Sequence, residues 1–257
     1  MKIENNNNIE LEIINLSKKF GDKVVFDNLN IQIPKGKSIG IMGPSGTGKS
    51  VLLKCILGLT DYEGKILYKG TLLENKNRKD LYNYSGMLFQ NGALFDSLNV
   101  WQNITFKLIN KSFFYSTVNC LSIAKKMLNE VELDDNILQN MPSELSGGMQ
   151  KRVSLGRAIF SEPDIIFFDE PTTGLDPITA DVINKLILEK VNDLGATALT
   201  ITHDMSSART IASKVYMLHE GNIIWGDSVN EMEKTKNEYI LQFVNGQSKG
   251  PIKIQNN

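Results

Sequence analysis

The sequence predicts an α/β fold built on a mainly parallel sheet, and three observations predict it. Short apolar runs at 38–42, 164–168, 198–201 and 215–218 are separated by segments long enough to hold helices. That alternation is expected when parallel strands are joined by helical crossovers. A glycine-rich loop at 43–50 follows the first run and feeds an amphipathic stretch, and from 100 to about 158 the apolar positions fall at spacings of three and four. The second pattern is helical, so a helical segment interrupts the alternation.

The elements follow in order. Residues 1–8 are polar and rich in asparagine and read as a loose end. Strand signals at 9–16, 24–26 and 29–33 are broken by Phe20-Gly21-Asp22 and Pro34-Lys35-Gly36, which are turn formers. Ser38-Ile39-Gly40-Ile41-Met42 reads as a buried strand, and a helix is expected over 51–57, stopped at Gly58. Helical spacing returns at 104–109 and in Leu121, Ala124, Met127, Leu128 and Val131. After Gly226 a charged helix is expected over 228–244, then a polar tail over 245–257. No internal repeat is visible. The organisation is one domain, 9–244, with a helical subdomain of about 91–158 inserted in its α/β core.

Composition narrows the function. Among 257 residues, 28 Lys and Arg stand against 29 Asp and Glu, so general nucleic-acid binding, which calls for a basic face, is not expected. Two cysteines without metal-ligand spacing suggest neither a disulfide framework nor a metal cluster. No run approaches the roughly 18 apolar residues of a membrane span, and the start lacks the apolar core of a signal peptide. A cytoplasmic protein with reduced thiols is expected.

Chemistry enters with Gly43-Pro44-Ser45-Gly46-Thr47-Gly48-Lys49-Ser50, a full G-x-x-x-x-G-K-[ST] match between a predicted strand and a predicted helix. Glycines let successive N–H groups face phosphates, and the positive end of the following helix adds favourable potential. Lys49 would bridge the β- and γ-phosphates, Ser50 would ligate Mg²⁺, and Val51 belongs to the same first turn. A second apolar run ends in Asp169-Glu170, which places two carboxylates at the carboxyl edge of the sheet, where ligands of α/β folds bind. Asp169 is suited to hold Mg²⁺ through its water shell and Glu170 to polarise an attacking water.

With Leu145-Ser146-Gly147-Gly148-Met149-Gln150 about 20 residues before that pair, the sequence resembles the ATP-binding cassette ATPase family, whose signature this hexapeptide is. Ser146 can cap the helix that runs on through Arg157, and the two glycines expose N–H groups at its positive end. The resemblance implies a homodimer in which Ser146, Gly147, Gly148 and Gln150 meet the ATP of the opposite subunit. It also implies an N-terminal antiparallel β subdomain. Gln90 matches the family's glutamine that reaches Mg²⁺ and the water. Asp176, in Gly174-Leu175-Asp176-Pro177, matches the loop at the dimer interface, and His203 matches the histidine that contacts the γ-phosphate. Phe20 matches the ring that stacks on adenine, with Val25 beside it, and is also a credible core residue. The other histidine, His219, reads as a surface turn residue.

The resemblance implies a transporter subunit without its own membrane path, hence separate integral-membrane permease subunits and a peripheral place on the inner face of the inner membrane. Leu88-Phe89-Gln90 and Gly92-Ala93-Leu94-Phe95, with Gln242-Phe243-Val244-Asn245-Gly246 near the end, are similar to ATPases of phospholipid-trafficking systems that carry mammalian-cell-entry domain proteins. That implies an MCE-domain lipid-binding subunit and a small regulatory subunit as partners. Ala93-Leu94-Phe95 suits a permease helix or ordinary core packing. A polar amino-acid or metal-ion importer is the rival reading, and a soluble non-transport ATPase a remote one. Gly156 stands where the family often has alanine, at up to about 1 kcal/mol in a helix interior. A close helix contact would be one reason for it, and the sequence does not show one.

Overall fold

The computed structural model of the protein describes residues 8–74, 76–109 and 117–253. The loose end expected over 1–8 lies outside the described residues except for Asn8, as do 254–257 of the tail. The chain forms two compact units, Met1–Lys79 with Leu199–Asn257, and Asp80–Ala198. The first unit opens with β1 (Ile9–Phe20), β2 (Lys23–Pro34), β3 (Ser38–Met42), α1 (Lys49–Ile56), β4 (Glu63–Tyr68) and β5 (Thr71–Leu72). The chain then runs through α2 (Arg78–Tyr84) into β6 (Ser85–Leu88), α3 (Val100–Ile109), α4 (Thr117–Glu130), α5 (Gly147–Ile159), β7 (Ile165–Asp169) and α6 (Pro177–Leu194). It returns by β8 (Thr197–Thr202) and ends with α7 (Met205–Ile211), β9 (Lys214–His219), β10 (Asn222–Ser228) and α8 (Glu238–Val244).

In the first unit, β1 and β2 form an antiparallel hairpin, and the sheet order β2-β1-β4-β5 is antiparallel throughout. Alternation drives it: Phe26, Leu29, Ile31 and Ile33 of β2 are buried while Asn28, Asn30 and Gln32 are exposed, and Leu11, Ile13 and Leu16 of β1 are buried, with Glu10 buried beside Leu11. The two signals at 24–26 and 29–33 prove to be one strand. Asn28, at φ 58, makes a bulge between them and donates its N–H to Ser17 Oγ at 3.0 Å. Asn15 does the same in β1 at φ 50, so that strand continues to Phe20. Asparagine tolerates this left-handed geometry, and the polar insertion hid the continuity of the pattern. The run at 215–218 is β9, whereas β4, β5 and β10 were not legible: β4 opens on the exposed Glu63-Gly64-Lys65, and β10 carries no alternation of buried and exposed positions.

Also in the first unit, β3 pairs with β9 in parallel, Ile39 against Lys214 through Met42 against Met217, and β10 pairs with β9 antiparallel. The helix expected over 228–244 is only α8, because β10 runs to Ser228 and Asn237 caps a new start by accepting the N–H groups of Tyr239 and Ile240. His219 is not a surface turn residue. Its side chain is 12% exposed and its ring lies 5.2 Å from that of Tyr239. The polar tail is also folded up to Lys253. The buried Gln242 amide donates to the carbonyls of Gln247 and Ile252 and accepts the N–H of Ile252, which packs on the cluster of Met42, Met217, Met232 and Ile240.

In the second unit, β6 and β7 are parallel, Ser85 against Ile165 and Leu88 against Phe168. The side chains of the first four residues of β7 are fully buried, as its continuous apolar run requires. Helix α5 crosses so close to β6 that a Cβ at Gly86 would lie 2.2 Å from the Ala158 carbonyl oxygen. Asp176 caps α6, Pro177 occupies its first turn, and Gly195, at φ 59, ends it. Within 91–158 the described residues form helices and no strand, but the unit containing them is wider and includes β6, β7 and α6. The parallel pairings and the crossover helices make the fold α/β. Among the described residues no helix is long and apolar enough to cross a membrane.

Candidate active site

In the first unit the chain leaves β3 at its carboxyl end and curls through 43–48 into α1. Two glycines make the curl possible. A Cβ at Gly43 would lie 2.2 Å from the Leu218 carbonyl oxygen. At Gly48, φ +98, a Cβ would lie 2.6 Å from Val25 Cγ1 and 2.8 Å from Phe26 Cε1. Val25 therefore sits against the loop. Gly48 offers α1 no side-chain cap, and Ser50 and Val51 lie in the first turn. The buried Lys49 ammonium donates to the carbonyls of Gly43 at 2.7 Å and Pro44 at 2.9 Å, and the Thr47 hydroxyl also donates to Pro44. The charge is thereby held inside the loop, beside the exposed tip at Ser45 and Gly46.

Phe20 closes β1 with 51% of its surface exposed, which removes it from the core. The Lys18 ammonium lies 4.5 Å from its ring centroid and pairs with Asp61 at 2.8 Å, holding that carboxyl below its ordinary range. His203 is exposed just after β8. Its neighbour Asp204 caps α7, accepting from Ser207 N at 2.8 Å and Ser207 Oγ at 2.6 Å. Burial raises the Asp204 carboxyl, but the Ser207 and Ser206 hydrogen bonds and nearby His203 outweigh it and hold it below the usual value.

The second unit holds the carboxylates. Asp169 ends β7, and Glu170 follows at φ +49, only 8% exposed, with Thr173 Oγ1 donating to its Oε2 at 3.1 Å. A left-handed glutamate is uncommon and costs on the order of 1 kcal/mol or more, so the surrounding structure holds the side chain in place. Ser146 is the N-cap of α5, accepting from Met149 N at 3.3 Å. A Cβ at Gly148 would lie 2.9 Å from Thr179 Cγ2, whereas one at Gly147 would make ordinary contact with Leu175. Thr179 N–H in turn donates to Asp176 at 3.0 Å, so the signature residues and the Asp176 loop meet at the start of α6. The Thr179 and Ile178 contacts hold the Asp176 carboxyl low. Gln150 turns inward, its amide donating to the Pro142 carbonyl at 2.9 Å and that of Leu145 at 3.3 Å. Gln90 is exposed just after β6.

Several residues of this unit were missed from sequence. Lys151, 5% exposed, donates to the Gln90 carbonyl and lies 3.5 Å from the Glu170 carbonyl. Burial pushes its ammonium down to about 8, against the opposing pull of Asp169 and Glu170. Ser154 donates to the Gly92 carbonyl at 2.8 Å, and Arg157 to those of Gly92 and Ala93 at 2.7 Å each. Buried Asn103 holds the next turn through the N–H of Phe95 and the carbonyls of Phe95, Leu98 and Asn99. The available signal was the spacing of three between Lys151, Ser154 and Arg157, which puts polar groups on one face of a mostly buried helix. Phe95 stacks on Phe106 at 4.3 Å and remains 42% exposed, with Phe89 exposed on the same loop, so 89–95 is not simple core packing.

A family model described as ABC transporter matches residues 26–173. The chain is 38% identical over 249 residues, 95% of its length and 94% of the relative's, to the intermembrane phospholipid transport system ATP-binding protein MlaF of Haemophilus influenzae. It is 35% identical to a probable ribonucleotide transport ATP-binding protein of Mycobacterium leprae, covering 95% of this chain and 71% of that one. Among solved structures it resembles the dimeric, post-hydrolysis ATP-binding cassette MJ0796 bound to ADP and Pi, with TM-score 0.76 and 29% identity, covering 85% of this chain and 98% of that one. A glycine-rich loop after β3, paired carboxylates at the end of β7 and a serine-capped signature helix, with a family model matching residues 26–173 and a relative 38% identical along nearly the whole of both chains, establish that the chain belongs to the ABC transporter family as an ATP-binding cassette.

Proposed function

We propose that the chain is the ATP-hydrolysing subunit of a transporter that moves phospholipid between membranes, working as a homodimer beneath separate permease subunits at the inner face of the inner membrane. The observation that carries the lipid reading is the 38% identity to the phospholipid-system protein along nearly the full length of both chains. The ribonucleotide-transport relative at 35% keeps a small-solute substrate as the second reading. MCE-domain and small regulatory subunits are the partners that the lipid reading brings with it.

Each residue has a role on ATP. Lys49 and the loop N–H groups neutralise the β- and γ-phosphates. Phe20 and Val25 receive the adenine, and Ser146 and Gly148 of the second copy close on the γ-phosphate. Glu170 accepts a proton from water as the oxygen bonds to the γ-phosphorus and the bond to the bridging oxygen of ADP breaks. His203 and Gln90 orient the γ-phosphate and the water. The Ser50 hydroxyl and the Gln90 amide carbonyl would offer oxygen to Mg²⁺ and Asp169 would act through its water shell, oxygen being the donor type that this ion takes. Bound there, Mg²⁺ would offset the charge developing on the phosphates.

Glu170→Gln is expected to bind ATP as the parent does, lose turnover by about a hundredfold or more, and accumulate as an ATP-bound dimer on size-exclusion chromatography. Parental turnover in that variant would remove Glu170 from the role of base. For the cargo, the intact membrane complex is purified and its bound small molecules identified by mass spectrometry. Phospholipid with a lipid-binding subunit is expected, and an amino-acid or nucleotide permease without lipid would sink the lipid reading.

A further inference from the structure

Helix α5 begins at the signature motif, and its Lys151, Ser154 and Arg157 side chains grip the carbonyls of Gln90, Gly92 and Ala93. Lys151 differs from the other two because its ammonium also lies 3.5 Å from the carbonyl of Glu170. One buried cation thus touches the backbones of two residues to which hydrolysis is assigned. Burying an ammonium is costly, and replacing a buried charge by an apolar side chain of similar volume is often neutral or stabilising. Stability alone does not explain a lysine here. Glu170 also has a strained φ of +49, so its carboxylate direction depends on what holds its backbone.

We propose that Lys151 is a positioning residue for hydrolysis, an ammonium peg that fixes the backbones of Gln90 and Glu170 to the signature helix. Without the peg, the two side chains keep their chemistry and lose their aim. Misplacement of about an ångström costs large factors in rate, while the phosphate loop that binds ATP belongs to other residues. The effect therefore falls on turnover and not on ATP affinity.

The inference rests on the roles given above to Glu170 and Gln90, so Glu170→Gln is assayed beside Lys151→Met, Lys151→Arg and Lys151→Gln in the full chain. Lys151→Met is expected to lower kcat by about tenfold or more, with KM for ATP and nucleotide affinity within about twofold and an unchanged or raised melting midpoint. Lys151→Arg, which keeps buried donors, should restore most of kcat. Lys151→Gln, which keeps a weaker donor, should fall between and stands in if the methionine variant does not fold. A kcat within about twofold of the parent in Lys151→Met, or in Lys151→Gln if the methionine variant does not fold, overturns the inference. So does an equal loss in Lys151→Met and Lys151→Arg with lowered melting points, which marks a packing role. If Glu170→Gln is dead while Lys151→Met is not slowed, only this inference fails. If Glu170→Gln turns over at the parent rate, the assignment of the base fails and takes the inference with it.

Discussion

At the scale of single residues, the strongest constraints lie where backbone and side chain compete for the same space. Gly48 is invariant in the loop pattern for a reason visible here, since any Cβ would enter Val25 and Phe26 at a φ that side chains avoid. The places of Lys49 at the start of α1 and of Asp169 at the end of β7 were legible from motif spacing alone. Lys151 was not, because a lysine in an amphipathic stretch ordinarily points to solvent, and only the crossing of α5 under the 90–93 loop buries it. Cys55 gives a residue-scale prediction. It is fully buried, and burial pushes its thiol up to about 11. The native protein should resist alkylation at pH 8, while the urea-unfolded chain reacts quickly. The unfolded chain gives up its thiol proton first, so stability contributed by Cys55 is present below pH 9.0, the ordinary value, and is lost as pH rises toward about 11. Denaturant melts from pH 8 to 11 should therefore show a steeper decline in the parent than in Cys55→Ala.

At the scale of elements, caps and bulges account for most differences from the sequence reading. Asn15 and Asn28 bend long strands that periodicity divides into pieces, and Asn237 starts a helix that hydropathy alone places nine residues earlier, at 228. For Gly156 in α5 a tight helix contact was one reason the sequence left open. The structure removes that reason: a Cβ there would lie 3.7 Å from Met127 Cβ and 3.8 Å from Val131 Cγ1, ordinary van der Waals distances. Gly156→Ala should fit without rearrangement and stabilise the fold by about 0.5–1 kcal/mol through helix propensity and a less flexible unfolded chain. A thermal melt raised by a few degrees would confirm it, and a lowered one would show a constraint that these distances do not reveal.

At the scale of the whole chain, the C-terminal segment is the main surprise. Its composition is polar, yet Gln242 supplies hydrogen bonds that replace those a strand or helix would make, and Ile252 anchors the end in an apolar cluster. Gln242→Ala should strip three of those bonds and free residues 247–253 while leaving the remainder folded. Brief trypsin digestion read by mass spectrometry should show faster cleavage at Lys249 than in the parent, and equal rates would mean that the segment is held by other contacts.

By itself the sequence determined the α/β class, the buried strands at 38–42 and 165–168, the phosphate loop and the capped signature helix, because each depends on local spacing, propensity and backbone geometry. The likeness of the motifs was enough to reach the family. Only the tertiary structure decided that Phe20 is outside the core, that His219 is packed, that Gly156 has room for a methyl group and that Lys151 joins Gln90 to Glu170. Those outcomes depend on which segments, distant in sequence, come to lie against one another, and a one-dimensional pattern carries no record of that.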